Sequence, residues 1–319
     1  MQNHPKVVVV MATYRRVSEL LRCLESIRQQ TTPIHGLVLA DNANDPLILD
    51  LLRKFEKEST EPNLSYLGLK ENHGCGAGLK AAEEEALQIY PNLTHFWILD
   101  DDVVLYPTAL EKLLSHMHHA EADLMAPILT DGQGNLWGFP EPRDAELRKN
   151  IRLCVTPQDG ITKLGLGPFP LWWCTGACVL VSRRAVEQVG VHREDYWMLG
   201  EDHEFSMRVG NKFKTMFCCD VLVPHLPPAA TDVAQAEQGH YLKFLSLLQN
   251  LCYNGFHLNY SGPMKKYVLG NYRRFFRTFN YSFRTMSHAT LTVWYGLICG
   301  QPAGGKGGEK LRKRIYLEH

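Results

Sequence analysis

The chain has 319 residues, of which 45% are hydrophobic, and it carries 34 basic and 34 acidic residues. This length and composition are typical of a soluble globular protein with one large domain or two smaller ones. The zero formal net charge gives no overall attraction to polyanions, so we expect no nucleic-acid partner.

No export or membrane segment is evident in the sequence. The apolar run Val7–Met11 is too short for a signal peptide, and no apolar run reaches the roughly 18 to 20 residues of a membrane span. The nine cysteines lack the usual zinc spacings, and reduced thiols are the default expectation. We therefore predict a cytoplasmic protein.

The first third of the chain alternates strand-like and helical patterns. Ser18 is a candidate N-cap of the first helix, and Leu47–Phe55 predicts the second. Four apolar runs predict buried strands that are covered by helices in an α/β fold. These runs are Val7–Ala12, Gly36–Ala40, Leu64–Gly68 and Phe96–Leu99.

Polar residues follow each of these four predicted strands. Ligands of parallel sheets bind where the strands end, and four separate segments at one edge indicate a nucleotide site. The segments are Thr13-Tyr14-Arg15, Asp41-Asn42, Asn72–Gly78 and Asp100–Asp102.

Three consecutive carboxylates follow the fourth strand, at Asp100, Asp101 and Asp102. Burying such charges without compensation is costly, and a hard divalent cation with oxygen ligands relieves the repulsion. The alternative is an acidic N-cap before a helix opened by Pro107. One aspartate would suffice for a cap, so we favour metal binding.

The glycines at 74, 76 and 78 allow two interpretations. A glycine-rich helix start lets a phosphate or ribose approach the backbone closely. The spacing is not the G-x-G-x-x-G fingerprint, and a tight turn explains it equally well.

The strand–helix alternation ends after residue 106. We predict a helix over Ala109–His119, an edge strand at Leu124–Pro127, and loops with short hairpin strands over residues 130 to 170. Further strands are expected at the end of Leu171–Val181 and over Phe213–Val223.

Several side chains in this second part are candidates for function. Trp172 and Trp173, beside Thr175 and Gly176, either stack on a sugar ring or fill the core. Glu201 and Asp202 begin a helix, where the macrodipole favours an acid, but a second acid could act as a general base. His225 lies between prolines after a strand and is a candidate third metal ligand.

The C-terminal part is predicted to be helical. Ala234–Phe256 carries leucines at helical spacing. The stretch Lys265–Arg284 then interleaves basic and aromatic residues. It is either an amphipathic helix packed on the protein or a surface helix that binds anionic lipid.

Together these segments resemble the inverting glycosyltransferases of family 2, which have the GT-A fold. The resemblance covers about residues 5 to 255. Val7–Arg16 looks like the opening strand and nucleotide loop of the family, and Asp100–Asp102 is similar to its D-x-D metal motif. Asn72 with its following glycines resembles a segment of the bacterial rhamnosyl- and galactofuranosyltransferase-like branch.

The resemblance implies a domain division and a set of site residues. Residues 1–230 would form a Rossmann-like, mostly parallel GT-A catalytic domain with a nucleotide-binding half, 1–106, and an acceptor-side half, 107–230. Residues 231–319, most of which lie outside the resemblance, are predicted to form a basic helical extension that is a candidate for membrane association. The donor would contact Thr13, Tyr14, Arg15, Asp41, Asn72, Gly74, Gly76, Asp100 and Asp101.

The resemblance also assigns the chemistry. Asp100, Asp102 and His225 would hold Mn²⁺ or Mg²⁺. Asp202, with Glu201 as the competing candidate, would be the catalytic base. The acceptor contacts are predicted from the residue pattern alone, at Trp172, Trp173, Thr175 and Gly176.

The implied reaction moves galactofuranose, rhamnose or a hexose from a UDP- or dTDP-sugar to a hydroxyl of a cell-surface glycan or lipid-linked acceptor. A sugar-nucleotide nucleotidyltransferase is one alternative, but it would carry a Gly- and Arg-rich loop where this chain has Ala12-Thr13-Tyr14-Arg15. The other is a non-catalytic carbohydrate- or nucleotide-binding module. Such a module would not need both the three aspartates and the Glu201-Asp202 pair.

Overall fold

The computed structural model describes residues 5–58, 62–138, 140–151, 153–154, 156–226, 233–258, 264–279, 283–305 and 309–310. Ten strands and eleven α-helices lie within these ranges. The strands are β1 Val7–Thr13, β2 Gly36–Asp41, β3 Leu64–Gly68, β4 His95–Asp100, β5 Leu124–Thr130, β6 Leu136–Gly138, β7 Glu141–Pro142, β8 Phe169–Trp173, β9 Cys178–Ser182 and β10 Thr215–Pro224. The helices are α1 Val17–Arg28, α2 Pro46–Glu58, α3 Cys75–Ile89, α4 Ala109–His119, α5 Ala145–Ile151, α6 Pro157–Leu164, α7 Arg183–Val189, α8 Glu201–Gly210, α9 Val233–Phe256, α10 Met264–Phe279 and α11 Phe283–Val293, which continues into a π-helical turn, Trp294–Ile298.

The chain forms two compact units. The first comprises Met1–Asn72, Gly78–His192 and Phe205–Pro228. The second comprises His73–Ala77, Arg193–Glu204 and Ala229–His319. Two short segments of the first 230 residues therefore belong with the C-terminal helices.

A mixed sheet organises the first unit, in the order β3-β2-β1-β4-β9-β5-β10-β8-β7, with β6 paired to β5. The four strands predicted at the start of the chain are parallel neighbours, as the alternation of strands and helices predicts. β1 is apolar along its length, and Val7–Met11 are completely buried, which is typical of a central parallel strand. The α/β prediction is confirmed.

Strand register brings three of the four predicted polar segments to one edge of the sheet. Ala12 of β1 pairs with Asp100 of β4, and Thr13 pairs with Asp41 of β2. Thr13, Asp41 and Asp100 therefore lie at adjacent strand ends. Parallel pairing alone produces this convergence, because parallel strands end on the same side of a sheet.

Two local predictions for the first unit were wrong. The strand that begins at Leu124 is not at an edge, because β5 lies between β9 and β10. The residue pattern of β5 indicates that the strand is buried, but it does not indicate which strands lie beside it. Ser18 does not cap the first helix, because α1 already begins at Val17 and the Ser18 hydroxyl donates to Glu19.

Helices form the core of the second unit. Leu242, Leu245 and Leu248 of α9 are buried with Phe275 and Phe276 of α10, so these phenylalanines pack inward as the packed-helix alternative requires. Arg273, Arg274 and Arg277 of α10 are exposed. In the described residues, no helix combines the length and apolar character needed to cross a membrane.

Candidate active site

Asp100, Asp101 and Asp102 form a carboxylate cluster where β4 ends. The Asp100 backbone N–H donates to the carbonyl of Ala177, so the residue just before β9 holds the end of this strand. Asp101 and Asp102 are both buried. The cluster therefore needs positive partners nearby, because unpaired buried carboxylates are costly.

Backbone pairing brings His225, 123 residues after Asp102 in the chain, beside this cluster. Val103 and His225 form an antiparallel bridge. The Leu226 N–H donates to the Asp102 carbonyl over 2.8 Å, and the Val104 N–H donates to Pro224 over 2.9 Å. The His225 N–H donates to Thr130 of β5, so the position of His225 is set by two neighbouring chain segments.

The side chains of Asp100, Asp102 and His225 fit a divalent cation. Their ligand atoms all lie within 4.8 Å of one another. His225 Nε2 is 3.1 Å from Asp102 Oδ1 and 3.8 Å from Asp100 Oδ2. Asp102 Oδ1 is buried, and beyond this contact with His225 Nε2 it has no hydrogen-bond partner among the described residues, so it is available to a metal ion. Two carboxylates and one imidazole suit Mn²⁺ or Mg²⁺.

Arg16 neutralises much of the cluster, and sequence reasoning did not assign it to the site. Its Nη1 lies 2.9 Å from Asp101 Oδ1 and 2.7 Å from Asp102 Oδ2. The hydroxyl of Thr13, which was predicted to contact the donor, donates to Asp101 Oδ2 over 2.6 Å. Both oxygens of Asp101 are thus occupied within the protein, whereas Asp102 keeps one oxygen for a cation.

The pKa shifts follow from burial and from these charges. Burial, together with repulsion from Asp102, raises the pKa of Asp100 to about 7. Burial also opposes the charged form of Asp102, but His225 and Arg16 outweigh it and lower the pKa of that carboxyl. Burial likewise opposes the charged forms of His225 and Arg16, and the aspartates outweigh it and raise both pKa values. The negative charge of the cluster therefore favours the protonated, cationic forms of His225 and Arg16.

Trp137 lies over His225 and was also missed by sequence reasoning. The two ring centroids are 4.1 Å apart with an interplanar angle of 34°, and Trp137 is 46% exposed. Asp131 shapes the turn before it by accepting hydrogen bonds from the N–H groups of Gln133 and Asn135. An exposed aromatic ring beside a polar cluster can both orient the imidazole and contact a sugar.

The predicted nucleotide contacts have different surroundings. Asp41 is completely buried and accepts hydrogen bonds from Ala43 N–H, Asp45 N–H and the Tyr66 hydroxyl. Its carboxylate holds the turn after β2, and its contact with a base stays a prediction. Tyr14 and Arg15 are exposed, and the guanidinium carbon of Arg15 lies 5.2 Å from the centroid of the Tyr14 ring. Both side chains are accessible to solvent, and their contact with a donor stays a prediction.

The tryptophans predicted to bind the acceptor differ from each other. Trp173 is only 5% exposed, as the core alternative requires. Trp172 is half-buried, and the guanidinium carbon of Arg143 lies 4.5 Å from its ring centroid. Thr175 and Gly176 are partly exposed in the turn before β9. Acceptor contact by these four residues stays a prediction.

The second unit explains the glycines at 74 and 76 by close backbone approach. A Cβ at Gly74 would lie 1.9 Å from the Trp197 carbonyl oxygen, and one at Gly76 would lie 2.4 Å from that of Arg193. The Cys75 N–H donates to the Trp197 carbonyl over 2.9 Å. These glycines admit the segment 193–197, and donor contact by them and by the exposed Asn72 stays a prediction.

Glu201 and Asp202 also belong to the second unit, at the first turn of α8. Glu201 is buried, whereas the Asp202 side chain is 17% exposed. Asp202 Oδ1 accepts a hydrogen bond from the His203 N–H. Asp202 is therefore the more accessible of the two carboxylates, while the role of either as a base stays a prediction.

A second group of potential ligands, His116, Cys218 and Asp220, is explained by contacts that Asp220 makes within the protein. His116 Nε2 lies 2.7 Å from Asp220 Oδ1, and the ammonium of Lys112 lies 3.9 Å from the same carboxylate. Burial raises the pKa of the Cys218 thiol, so it stays neutral. Positive charge is already present here, and a further cation would be repelled.

We expect Arg16→Met to destabilise the protein by about 2 kcal/mol, because Asp101 and Asp102 lose their cationic partner. Mn²⁺ should restore part of this loss, since a bound cation neutralises the same carboxylates. Urea unfolding with and without Mn²⁺ measures both effects. The exposed neighbour provides the control, Arg15→Met, with an expected change below about 0.5 kcal/mol. Equal stability of the two variants would show that Arg16 does not hold the cluster.

The sequence of this chain matches a known protein family and is similar to characterised glycosyltransferases. Residues 8–190, more than half of the chain, match the family described as Glycosyl transferase family 2. An N-acetylglucosaminyl-diphospho-decaprenol L-rhamnosyltransferase from Mycobacterium tuberculosis is 24% identical over 219 residues, which cover 63% of this chain and 69% of that protein. The galactofuranosyltransferase GlfT1 from Mycolicibacterium smegmatis is 26% identical over 236 residues, covering 72% and 74%.

Solved structures share the fold. The mannosyltransferase PcManGT from Pyrobaculum calidifontis, solved with GDP-Man and Mn²⁺, superposes with a TM-score of 0.58 at 14% identity, covering 99% of this chain and 81% of that one. TarS residues 1–349 from S. aureus give a TM-score of 0.57 at 13% identity, covering 93% and 81%. The fold is that of GT-A glycosyltransferases. With the match over residues 8–190, the chain belongs to glycosyltransferase family 2 and is a glycosyltransferase.

Proposed function

We propose that this glycosyltransferase is metal-dependent and inverting, and that it moves a sugar from a UDP- or dTDP-sugar to a hydroxyl of a cell-envelope glycan or its lipid-linked precursor. The observation that carries the proposal is the convergence of Asp100, Asp102 and His225, whose ligand atoms all lie within 4.8 Å of one another. Membership of family 2 favours glycosyl transfer over both a nucleotidyltransferase and a non-catalytic binding module.

Asp100, Asp102 and His225 would hold Mn²⁺ or Mg²⁺. When bound, the cation neutralises negative charge on the diphosphate of the donor and of the leaving nucleotide. Arg16 limits the repulsion between Asp101 and Asp102. Trp137 limits the movement of the His225 ring by covering one of its faces.

Asp202 is the proposed base, with Glu201 as the alternative. An accessible carboxylate can take the proton of the acceptor hydroxyl as that oxygen attacks the anomeric carbon. The nucleoside diphosphate leaves from the opposite face, so the configuration inverts. Asp202 is preferred because Glu201 is buried.

The names of the relatives support the proposed donor and acceptor classes. Their names specify rhamnosyl transfer to a polyprenyl-diphosphate sugar and galactofuranosyl transfer. We propose rhamnose, galactofuranose or a hexose as the transferred sugar, and a lipid-linked or cell-surface glycan as acceptor. Such an acceptor lies at the membrane, so we propose a cytoplasmic enzyme that associates with the inner face of the cell membrane.

The second unit supplies a candidate membrane contact. Arg273, Arg274 and Arg277 of α10 are exposed. Trp294 and Ile298, four residues apart in the π-helical turn, are 53% and 58% exposed. Clustered arginines attract anionic lipid headgroups, and exposed apolar residues can enter the interface.

Calorimetric titration with UDP, dTDP and GDP, each with Mn²⁺ and with EDTA, tests the donor site. We expect Mn²⁺-dependent binding of UDP or dTDP, because the carboxylate cluster repels the diphosphate unless a cation is bound. Asp102→Asn should abolish the metal dependence. No binding of any of these nucleotides would contradict the proposal.

Asp202→Asn should lower kcat by about 10²- to 10⁴-fold, because the acceptor hydroxyl loses its base. Mn²⁺-dependent nucleotide binding should be unchanged, since the proposed metal ligands are untouched. Single-turnover transfer and calorimetry measure the two effects. Glu201→Gln is the matched comparison, and if it loses activity while Asp202→Asn does not, Glu201 is the base.

Reversing the charge of Arg273, Arg274 and Arg277 to glutamate should reduce sedimentation with phosphatidylglycerol vesicles. The loss should be largest at low salt, because screening weakens the attraction. The control reverses the exposed Arg53, Lys54 and Lys57 of α2, which removes the same charge elsewhere. Equal losses in both variants would contradict a docking role for α10.

A further inference from the structure

The loop before Glu201 has an unusual backbone. Leu199 has φ +60° and Gly200 has φ +96°. The left-handed region costs a leucine about 1 to 2 kcal/mol, and such conformations persist only where surrounding contacts hold them. The carbonyl of Gly200 accepts the N–H of Glu204 over 3.0 Å and so starts the helix that carries Glu201 and Asp202.

Two asparagines of α9 provide these contacts. Asn250 Nδ2 donates to the Leu199 carbonyl over 2.6 Å and lies 3.3 Å from the Met198 carbonyl. Asn254 Nδ2 donates to the Gly200 carbonyl over 3.2 Å, and its Oδ1 accepts the hydroxyl of Tyr196. Positions 250 and 254 lie on one face of a helix, so both side chains bond the same loop.

The asparagines are costly residues at these positions. Both are completely buried in a helix whose neighbouring buried residues include Leu248 and Leu251. Asparagine is a poor helix former, and a buried amide is unfavourable unless it is hydrogen-bonded. Both Nδ2 groups and the Oδ1 of Asn254 bond the 196–200 loop, so the loop is what these side chains stabilise.

The segment 301–304 is bonded to the same asparagine and the same loop. The Ala303 N–H donates to Asn250 Oδ1 over 2.6 Å, which orients the amide so that its Nδ2 faces the loop. The Gly304 N–H donates to the Asp195 carbonyl over 2.7 Å. Gln249 Nε2 donates to the carbonyls of Gln301 and Pro302. The loop is therefore held by residues more than 40 positions later in the chain.

We propose that Asn250 and Asn254 are positioning residues for the carboxylate that acts as the base. This inference rests on the proposed function. A base must lie within hydrogen-bond reach of the acceptor hydroxyl, and a displacement of about 1 Å can cost about 10²-fold in rate. The asparagines select the one loop conformation from which α8 starts, and with it the placement of Asp202.

The test replaces each asparagine with leucine, which has nearly the same shape and forms no hydrogen bonds. Asn250→Leu and Asn254→Leu should lower kcat by about 10²-fold. The donor KM and the Kd for nucleotide with Mn²⁺ should be unchanged, because Asp100, Asp102 and His225 are intact.

Asn271→Leu is the matched control. Asn271 is also buried in the second unit, but its Nδ2 donates to Tyr267 within its own helix. Its kcat should stay near wild type. If Asn250→Leu has the kcat of this control, or if all variants lose nucleotide binding together, the positioning role is overturned.

Hydrogen exchange gives a readout that does not depend on turnover. In Asn250→Leu, peptides covering 193–204 and 300–305 should exchange faster than in wild type, and in Asn271→Leu they should not. Unchanged exchange overturns the inference. If Asn250→Leu is active while Asp202→Asn is inactive, this inference alone is overturned. If Asp202→Asn and Glu201→Gln both transfer at the wild-type rate, the base assignment is overturned and the inference with it.

Discussion

Repulsion among three carboxylates at the end of a buried strand is the constraint on which the first unit depends. Asp101 and Asp102 are buried, and without positive partners their charges would destabilise the fold. Arg16 and Thr13 satisfy Asp101, while His225 is held beside Asp102 by backbone bonds from two neighbouring segments. What remains is one buried oxygen of Asp102 that faces the His225 imidazole, and a divalent cation held by both residues would complete the arrangement.

The second unit places a carboxylate at the start of a helix that follows an irregular loop. Gly74 and Gly76 remove the side chains that would collide with the 193–197 backbone. Asn250 and Asn254 then satisfy the carbonyls of the turn before α8. In the proposed enzyme, the C-terminal helices would therefore contribute to catalysis by holding the loop from which the base-bearing helix α8 starts, in addition to any contact with lipid.

Two side chains next to the carboxylate cluster escaped prediction for different reasons. Arg16 is adjacent to Arg15, and the sequence does not say which of the two points to the cluster. The need to balance three carboxylates was a usable signal for a nearby cation. Trp137 lies in a region rich in turns, and only the pairing of β6 with β5 brings it over His225. No local pattern around Trp137 indicates that contact.

The sequence by itself determined the elements that depend on local pattern. Apolar runs and helical spacing predicted β1 to β4, α4 and α9, and the charge of Asp100–Asp102 predicted a cation requirement. Tertiary structure decided what depends on long-range pairing: the central place of β5, the seating of His225 against Val103, and the partners of Gly74 and Gly76. The physical reason is that burial and periodicity are properties of a few neighbouring residues. The partner of a strand edge, a carbonyl or a carboxylate comes from a distant part of the chain, and only the folded backbone selects it.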